Sequence, residues 1–428
     1  MRISFLIHNG FHYGGTVQTT FTLAERLAER HEVEIVSVFR HRDRPRLDLP
    51  SGVTLRHLVD LREDSPDYDG EHPDARLPAR VFPRGDGRWK QYSALTDARI
   101  GDHLRGVRAD VVVGTRPGLN VHLARQAGDG PLLVAQEHLV LDGHSRRLRR
   151  DIAHEYALLD LVTTVTEADA RAYRRLGLPD SVRVASVPNS VPAPAVPPAD
   201  PSARVVVAAG RLTRVKRYDV LVDAFAALAD EYPDWSLRIY GSGDAVQDLR
   251  EPLTRRIDAR GLGGRVRLMG QAHPMEPEWA QGSIAAVTSE REAFGMAIVE
   301  AMRCGLPVVA ADCPHGPREI VEDGVDGWLV PVGDPAAVAR ALRGLMADEE
   351  LRARAGRAAR LAAERFDPAP IAARHEELWT GLLDGRAPRR RTHAPAAAAR
   401  YARTGRAIDA AYGAKAAAGR ALRRLGLR

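Results

Sequence analysis

Three carboxylates crowd one short stretch, Ser289 to Glu300, which reads SEREAFGMAIVE. It closes a run of apolar β-type residues and opens an apolar helical pattern, yet carries Glu290, Glu292 and Glu300. Two chemistries fit such a pair as Glu292 and Glu300: a general acid with its base, or two grips on the hydroxyls of a bound ligand. Eight helical steps would span about 12 Å, whereas carboxylates flanking a hydrolysed glycosidic bond stand roughly 5 to 9.5 Å apart. The spacing therefore weakens the hydrolase reading. Gly295 permits close backbone approach, so the amides of Phe294, Gly295 and Met296 can face a ligand at the positive end of a helix. Glu290 is left to the surface.

Two further loops carry residues of the same character. HNGFHYGGTVQT places Gly14 and Gly15 before a helix start, with Thr16 expected as its N-cap. Such glycines let amides approach a phosphate or a sugar, but the spacing is not the dinucleotide GxGxxG, and a structural turn reads equally well in isolation. GRLTRVKRYD follows an apolar run and offers Arg211 as a planar fork and Lys216 as a compact charge, a combination suited to a diphosphate. A solvated basic turn is the alternative, with Arg214 and Arg217 as its solvated members.

The elements that must hold these loops are legible as alternation. RISFLI, a helix Thr16 to Arg30, VEIVSVF, VTLRHLV, ADVVVG, PLLVAQ and DLVTTV fill the first half, and the pattern restarts at RVVVAAGRL. It continues through a helix Tyr218 to Glu231, WSLRIYGSG, a helix Ala245 to Ala259, RVRLMGQ, SIAAVTS, a helix Met296 to Arg303, PVVAAD and GWLVP. Short β-branched runs alternating with amphipathic stretches predict parallel sheets covered by helices, so the fold class is α/β with two doubly wound, Rossmann-like domains. The expected division is 1–191, a Pro-rich linker 192–203, a second domain 204–365, a terminal helix 366–385 crossing back to the first, and a tail 386–428. Ligands of such sheets bind beyond the carboxyl ends of the strands, which directs the search to the strand-to-helix loops and to a central cleft. Between Arg62 and Arg88 the pattern fails and a mobile surface insertion is expected.

Composition excludes several classes. At 428 residues the chain exceeds one compact core. No apolar run approaches the roughly 18 residues that span a bilayer, and the run Ile3 to Ile7 is too short for a signal peptide. Only Cys304 and Cys313 are present, which excludes a disulfide framework and a Cys-based zinc cluster, and favours a reducing cytoplasm. Of the formal charge of +6, the tail from Arg386 holds twelve Arg or Lys against Asp409 alone, so the tail carries +11 and the body −5.

On these loops, in this order, the chain resembles the GT-B glycosyltransferases, in particular the retaining glycosyltransferase family 4. The likeness rests on Gly14-Gly15, on GRL with Lys216, on EAFGMAIVE as the family's E-x7-E motif, and on EAMRCGLPVVAADCPHGPREIVEDGVDGWLVP. The resemblance implies a hexosyl- or N-acetylhexosaminyltransferase that moves a sugar from a nucleoside diphosphate sugar to a hydroxyl acceptor with retention of configuration. It implies that Arg211 and Lys216 neutralise the diphosphate with help from the Gly15 amide, that Glu300 binds the ribose and Glu292 the sugar, and that the amides of Phe294 to Met296 hold sugar and phosphate. His138, in LVAQEHLV, matches the position of a histidine near the sugar's primary hydroxyl, with a histidine packed at a strand end as the alternative; Glu137 beside it is structural. Neither cofactor nor metal is expected, the one DxD match, Asp67-Tyr68-Asp69, falling by chance in the irregular insertion. Both cysteines read as core hydrophobes, while His315 and Arg318 either touch the sugar or shape a turn. Alternatives of other classes are a nucleotide-sugar epimerase and a non-enzymatic basic binding protein.

The tail, rich in Ala and Arg, reads two ways: as a basic helix on anionic lipid, or as a solvated segment interrupted by Gly405, Gly413 and Gly419. The first would make the protein peripheral on the inner face of the membrane, suiting a lipid-linked or cell-wall glycan acceptor. Nucleic acid is disfavoured, because no aromatic platform accompanies the charge.

Overall fold

A computed structural model describes residues 1–243, 247–385, 392 and 395–424. The chain divides into two compact units, Met1–Val187 with Ala372–Arg428, and Pro188–Ile371. In the first, β1 (Arg2–Ile7), β2 (Glu32–Arg40), β3 (Val53–Asp60), β4 (Val111–Gly114), β5 (Leu132–Glu137), β6 (Leu161–Thr164) and β7 (Arg183–Ser186) form a sheet in the order β3-β2-β1-β4-β5-β6-β7. Every pairing is parallel, with Ile3 opposite Val33 on one side and Val111 on the other. In the second, β8 (Val205–Ala209), β9 (Ser236–Tyr240), β10 (Val266–Gly270), β11 (Ile284–Val287), β12 (Val308–Ala311) and β13 (Gly327–Val330) run parallel in the order β10-β9-β8-β11-β12-β13. The β4, β11 and β12 segments are buried throughout, as expected of central strands covered on both faces.

Each sheet has one place where strand order reverses, β1 beside β4 and β8 beside β11. At such a point the loops leaving the two strands diverge to opposite faces and open a crevice. The loops leaving β8 and β11 are those that carry Arg211, Lys216, Glu292 and Glu300.

Three expectations differ from the structure. The Pro-rich stretch 192–203 is no free linker, since it belongs to the second unit. Arg303 donates to the Pro192 carbonyl at 3.4 Å, Arg352 to Pro201 at 2.9 Å, and the Ala199 amide to Cys304 at 2.8 Å. The irregular segment from Arg62 is not a mobile surface insertion throughout, because the Asp97 carboxylate accepts the amides of Arg80 and Val81 at 2.6 and 2.7 Å. Phe82 stacks on Tyr92 with centroids 3.5 Å apart inside the first core. Within that segment Asp69 is spent on the fold, accepting the Asp60 amide at 2.9 Å and pairing with Arg99 at 2.8 Å. The tail is one uninterrupted helix, Pro395–Arg424, through all three glycines. Its expected apolar residues Leu425 and Leu427 lie outside the described residues, as does Ala245, the expected start of a helix that the structure describes as Arg250–Ala259.

The tail helix packs on the helix Arg146–Glu155 of the same unit. Tyr401 stacks on His154 with centroids 3.7 Å apart and lies under the Arg150 guanidinium, Arg147 pairs with Asp409, and Arg147 also covers Tyr412. A Cβ on Gly405 would lie 2.4 Å from a guanidinium nitrogen of Arg150. Beyond Asp409 the described side chains are almost all exposed.

Candidate functional site

The β8 loop tightens into a single helical turn, Arg214–Lys216, and Arg217 after it takes the left-handed region at φ 49°, ψ 42°. That geometry turns the Lys216 side chain back towards the β11 loop, where Nζ lies 2.6 Å from Glu292 Oε1. The same carboxylate oxygen accepts the Ser289 hydroxyl at 2.7 Å. Both members of the ion pair are about five-sixths buried, at 16% and 14% side-chain exposure, which places the interaction in partly water-excluded surroundings where it is screened less than a surface pair.

The β11 loop is fixed from its other side as well. Glu292 pairs through its backbone with His315, which precedes the helix Gly316–Ile320. The approach depends on Gly316, since a Cβ there would overlap the Phe294 carbonyl oxygen. Gly295 caps the helix Met296–Arg303 at φ 121°, a conformation that favours glycine, and its carbonyl accepts the Ile298 amide at 2.9 Å. No side chain caps this helix, and Phe294 is buried against Phe366 with centroids 5.4 Å apart. One turn inside, burial pushes the Glu300 carboxyl up to about 7, opposed by the Trp279 indole beside it.

Of the residues expected here, the structure brings Lys216 and Glu292 into contact and sets Phe294, Gly295, Met296 and Glu300 on the same loop and helix start. Arg211 lies at the beginning of the β8 loop with an exposed side chain. Arg214 is exposed as expected, whereas Arg217 is half-buried and pairs with Asp219 at 3.0 Å. His315 stands in the turn before the helix Gly316–Ile320, and Arg318 pairs with Asp312. Cys304 and Cys313 are core residues at 0% and 2% exposure, and burial raises both thiols to about 12.

In the first unit, the helix Gly15–Ala28 is capped by Gly14 and not by Thr16, which lies within its first turn and accepts the Thr20 hydroxyl at 2.7 Å. Its leading amides have no side-chain acceptor, and a Cβ on Gly14 or Gly15 would meet nothing within 4 Å. Local packing thus does not require glycine at either position. His138 follows β5 directly and is half-buried. Glu137 is structural, as expected: at 1% exposure it accepts Asn120 at 2.8 Å and the Tyr156 hydroxyl, and burial lifts its carboxyl to about 7. Burial above all, with repulsion from His138 and Arg374, pushes the His375 imidazole down to about 3.

Sequence reasoning missed Thr288, Ser289 and Trp279. The only signal was a pair of hydroxyls at a strand end, and their partners lie about 70 residues away on the β8 loop or across one carboxylate.

The sequence matches two family models, Glycosyltransferase Family 4 over residues 13–193 and Glycosyl transferases group 1 over residues 193–362. An exopolysaccharide phosphotransferase of Streptomyces coelicolor is 32% identical over 400 residues, covering 90% of this chain but 41% of that protein, so the chain spans about two fifths of this relative. A phosphatidyl-myo-inositol mannosyltransferase of Mycolicibacterium smegmatis is 30% identical over 337 residues, 72% of this chain and 84% of that one. Among solved structures, Anabaena HepE in complex with UDP and glucose superposes with a TM-score of 0.70 at 22% identity, over 89% of this chain and all of that one. Sucrose-phosphate synthase of Thermosynechococcus elongatus superposes with a TM-score of 0.73 at 18% identity, over 90% of this chain and all of that one. At such identities the likeness is one of fold, and both units are those of GT-B proteins. With both halves matched in sequence and fold, the chain belongs to glycosyltransferase family 4.

Proposed function

We propose that the protein transfers a sugar from a nucleoside diphosphate sugar to a hydroxyl acceptor, with retention of anomeric configuration and without a required metal or cofactor. The observation that carries this reading is the Lys216–Glu292 pair at the β8/β11 reversal, beside an uncapped helix start that has Glu300 one turn inside it. An ammonium has three N–H donors, so Lys216 can keep one on Glu292 and present the others to a diphosphate. Glu300 takes the ribose hydroxyls, Glu292 the sugar hydroxyls, and the amides of Phe294 to Met296 the sugar and phosphate.

The chemistry follows from where charge develops. As the bond from the anomeric carbon to the diphosphate oxygen breaks, negative charge grows on the leaving oxygen, and Arg211, Lys216 and the helix amides stabilise it. The acceptor oxygen attacks from the face the diphosphate leaves, and its proton passes to the departing phosphate, so no separate protein base is needed. The transferred group is a hexose or an N-acetylhexosamine.

Relatives named for phosphatidyl-myo-inositol and inositol phosphate acceptors favour a polar hydroxyl acceptor, and a lipid-linked or polymeric one suits the basic tail helix as a contact with anionic lipid. No described helix is long and apolar enough to cross a membrane. The test is calorimetry with UDP-, GDP- and ADP-sugars, followed by labelled-sugar transfer in the presence of membrane extract. Binding of one donor at micromolar affinity with transfer of label supports the reading. Conversion of the donor without acceptor would instead identify an epimerase.

A further inference from the structure

Two of three consecutive residues after β11 hold the β8 turn directly, and the third holds the carboxylate that grips its lysine. Thr288 Oγ1 lies 3.0 Å from the carbonyl oxygens of both Lys216 and Arg217, sharing its one proton between them. The Glu290 amide donates to the Val215 carbonyl at 2.9 Å. Ser289 Oγ donates to Glu292 Oε1, the oxygen that receives Lys216 Nζ. Thr288 and Ser289 are 2% and 1% exposed, so neither hydroxyl serves solvent.

Arg217 occupies the left-handed backbone region although it carries a side chain, and such a conformation persists only where surroundings hold it. Thr288 supplies that hold at the carbonyls of Lys216 and Arg217, one on either side of the Arg217 α-carbon. The clamp therefore fixes both ends of the lysine: its main chain through Thr288 and its ammonium through Glu292, itself fixed by Ser289.

We infer that Thr288 and Ser289 are positioning residues of the donor site, Thr288 setting Lys216 for the diphosphate and Ser289 setting Glu292 for the sugar. The inference rests on the reading of this loop as a nucleoside diphosphate sugar site. Neither residue touches the donor; each orients a side chain that does, so that little reorganisation accompanies binding.

The test is calorimetry on the full chain with UDP, GDP and ADP and with their glucose conjugates, using whichever nucleotide wild type binds most tightly. Thr288→Val, which keeps shape and removes the hydroxyl, is expected to weaken nucleoside diphosphate binding about fivefold, the worth of one hydrogen bond. Thr288→Ser, which restores the hydroxyl and loses the methyl, is expected to bind within about twofold of wild type. In a Lys216→Ala background, Thr288→Val is expected to add nothing, because its effect runs through the lysine. Ser289→Ala is expected to weaken the nucleotide sugar more than the free nucleoside diphosphate, which it reaches only through the hold of Glu292 on Lys216.

A purely structural role makes the opposite forecasts: Ser worse than Val, and an undiminished loss in the Lys216→Ala background. Either result overturns the role of Thr288. Equal effects of Ser289→Ala on both ligands, or none on either, overturn that of Ser289. Should Thr288→Val fail to fold, the Ser289 comparison and Thr288→Ser still decide. If wild type binds none of the nucleotides, the donor reading itself falls and the inference with it, a result distinct from wild-type binding left intact by the variants.

Discussion

Glu300, half-buried, and Glu137, fully buried, are two carboxyls with the same raised pKa, about 7, and opposite consequences. A carboxyl whose folded pKa exceeds its unfolded value contributes stability at low pH that is lost as pH rises through the folded value. For Glu137 the window runs from about 4.5 to 7, and Glu137→Gln, which keeps the contact with Asn120, should remove that slope. Thermal unfolding should show the variant gaining on wild type between pH 5 and pH 8, by on the order of 3 kcal/mol at most. For Glu300 the ionised form is the better acceptor of ribose hydroxyls. Donor affinity should therefore rise between pH 6 and pH 8 in wild type, by about threefold to tenfold, and stay flat in Glu300→Gln. A sugar-linked diphosphate does not itself titrate in that range, which makes UDP-glucose a cleaner probe than UDP. The pair Glu292 and Glu300 was legible in the sequence because a strand end, a glycine and a helical period fix where such residues stand. Thr288 and Ser289 were not, since a hydroxyl declares its role only through partners brought together by the fold.

At the scale of elements, local signals placed strands well and caps poorly. The β-branched runs returned as strands with ends shifted by up to three residues, the helix Met296–Arg303 matched its expected bounds, and the helix from Tyr218 ended at Ala226, short of Glu231. Thr16 was a reasonable N-cap by side-chain type, yet Gly14 takes the position, leaving the first amides without a side-chain acceptor. The tail shows the reverse error. Three glycines cost a helix roughly 1 kcal/mol each, but alanines around them are the best helix formers, and Gly405 leaves room for the tip of the Arg150 side chain. Gly405→Leu should gain helix propensity but push the Arg150 guanidinium off Tyr401 and Asp151, loosening the docked segment. Limited proteolysis should then cut after the tail arginines faster than in wild type, while Gly413→Ala, whose Cβ meets nothing within 4 Å, should be cut more slowly.

For the whole molecule, two parallel sheets with one reversal each were readable from alternation, and the segments between them were not. A proline-rich run promises a free linker, but buried Arg303 and Arg352 claim its carbonyls, a debt that only the folded second unit reveals. Charge is also a whole-chain property: the tail's excess stands against a net acidic body. If it meets anionic lipid, vesicles containing phosphatidylserine should retain the full chain at low salt, release it as salt rises, and fail to retain a chain ending at residue 394. The central claim is that the β8 and β11 loops grip a nucleoside diphosphate sugar. Its most direct test is calorimetric titration of wild type, Lys216→Ala and Glu300→Ala with UDP-, GDP- and ADP-glucose. One donor should bind wild type and lose at least about tenfold in affinity in each variant, with unfolding temperatures little changed. A donor that binds all three proteins equally would contradict the assignment of the site.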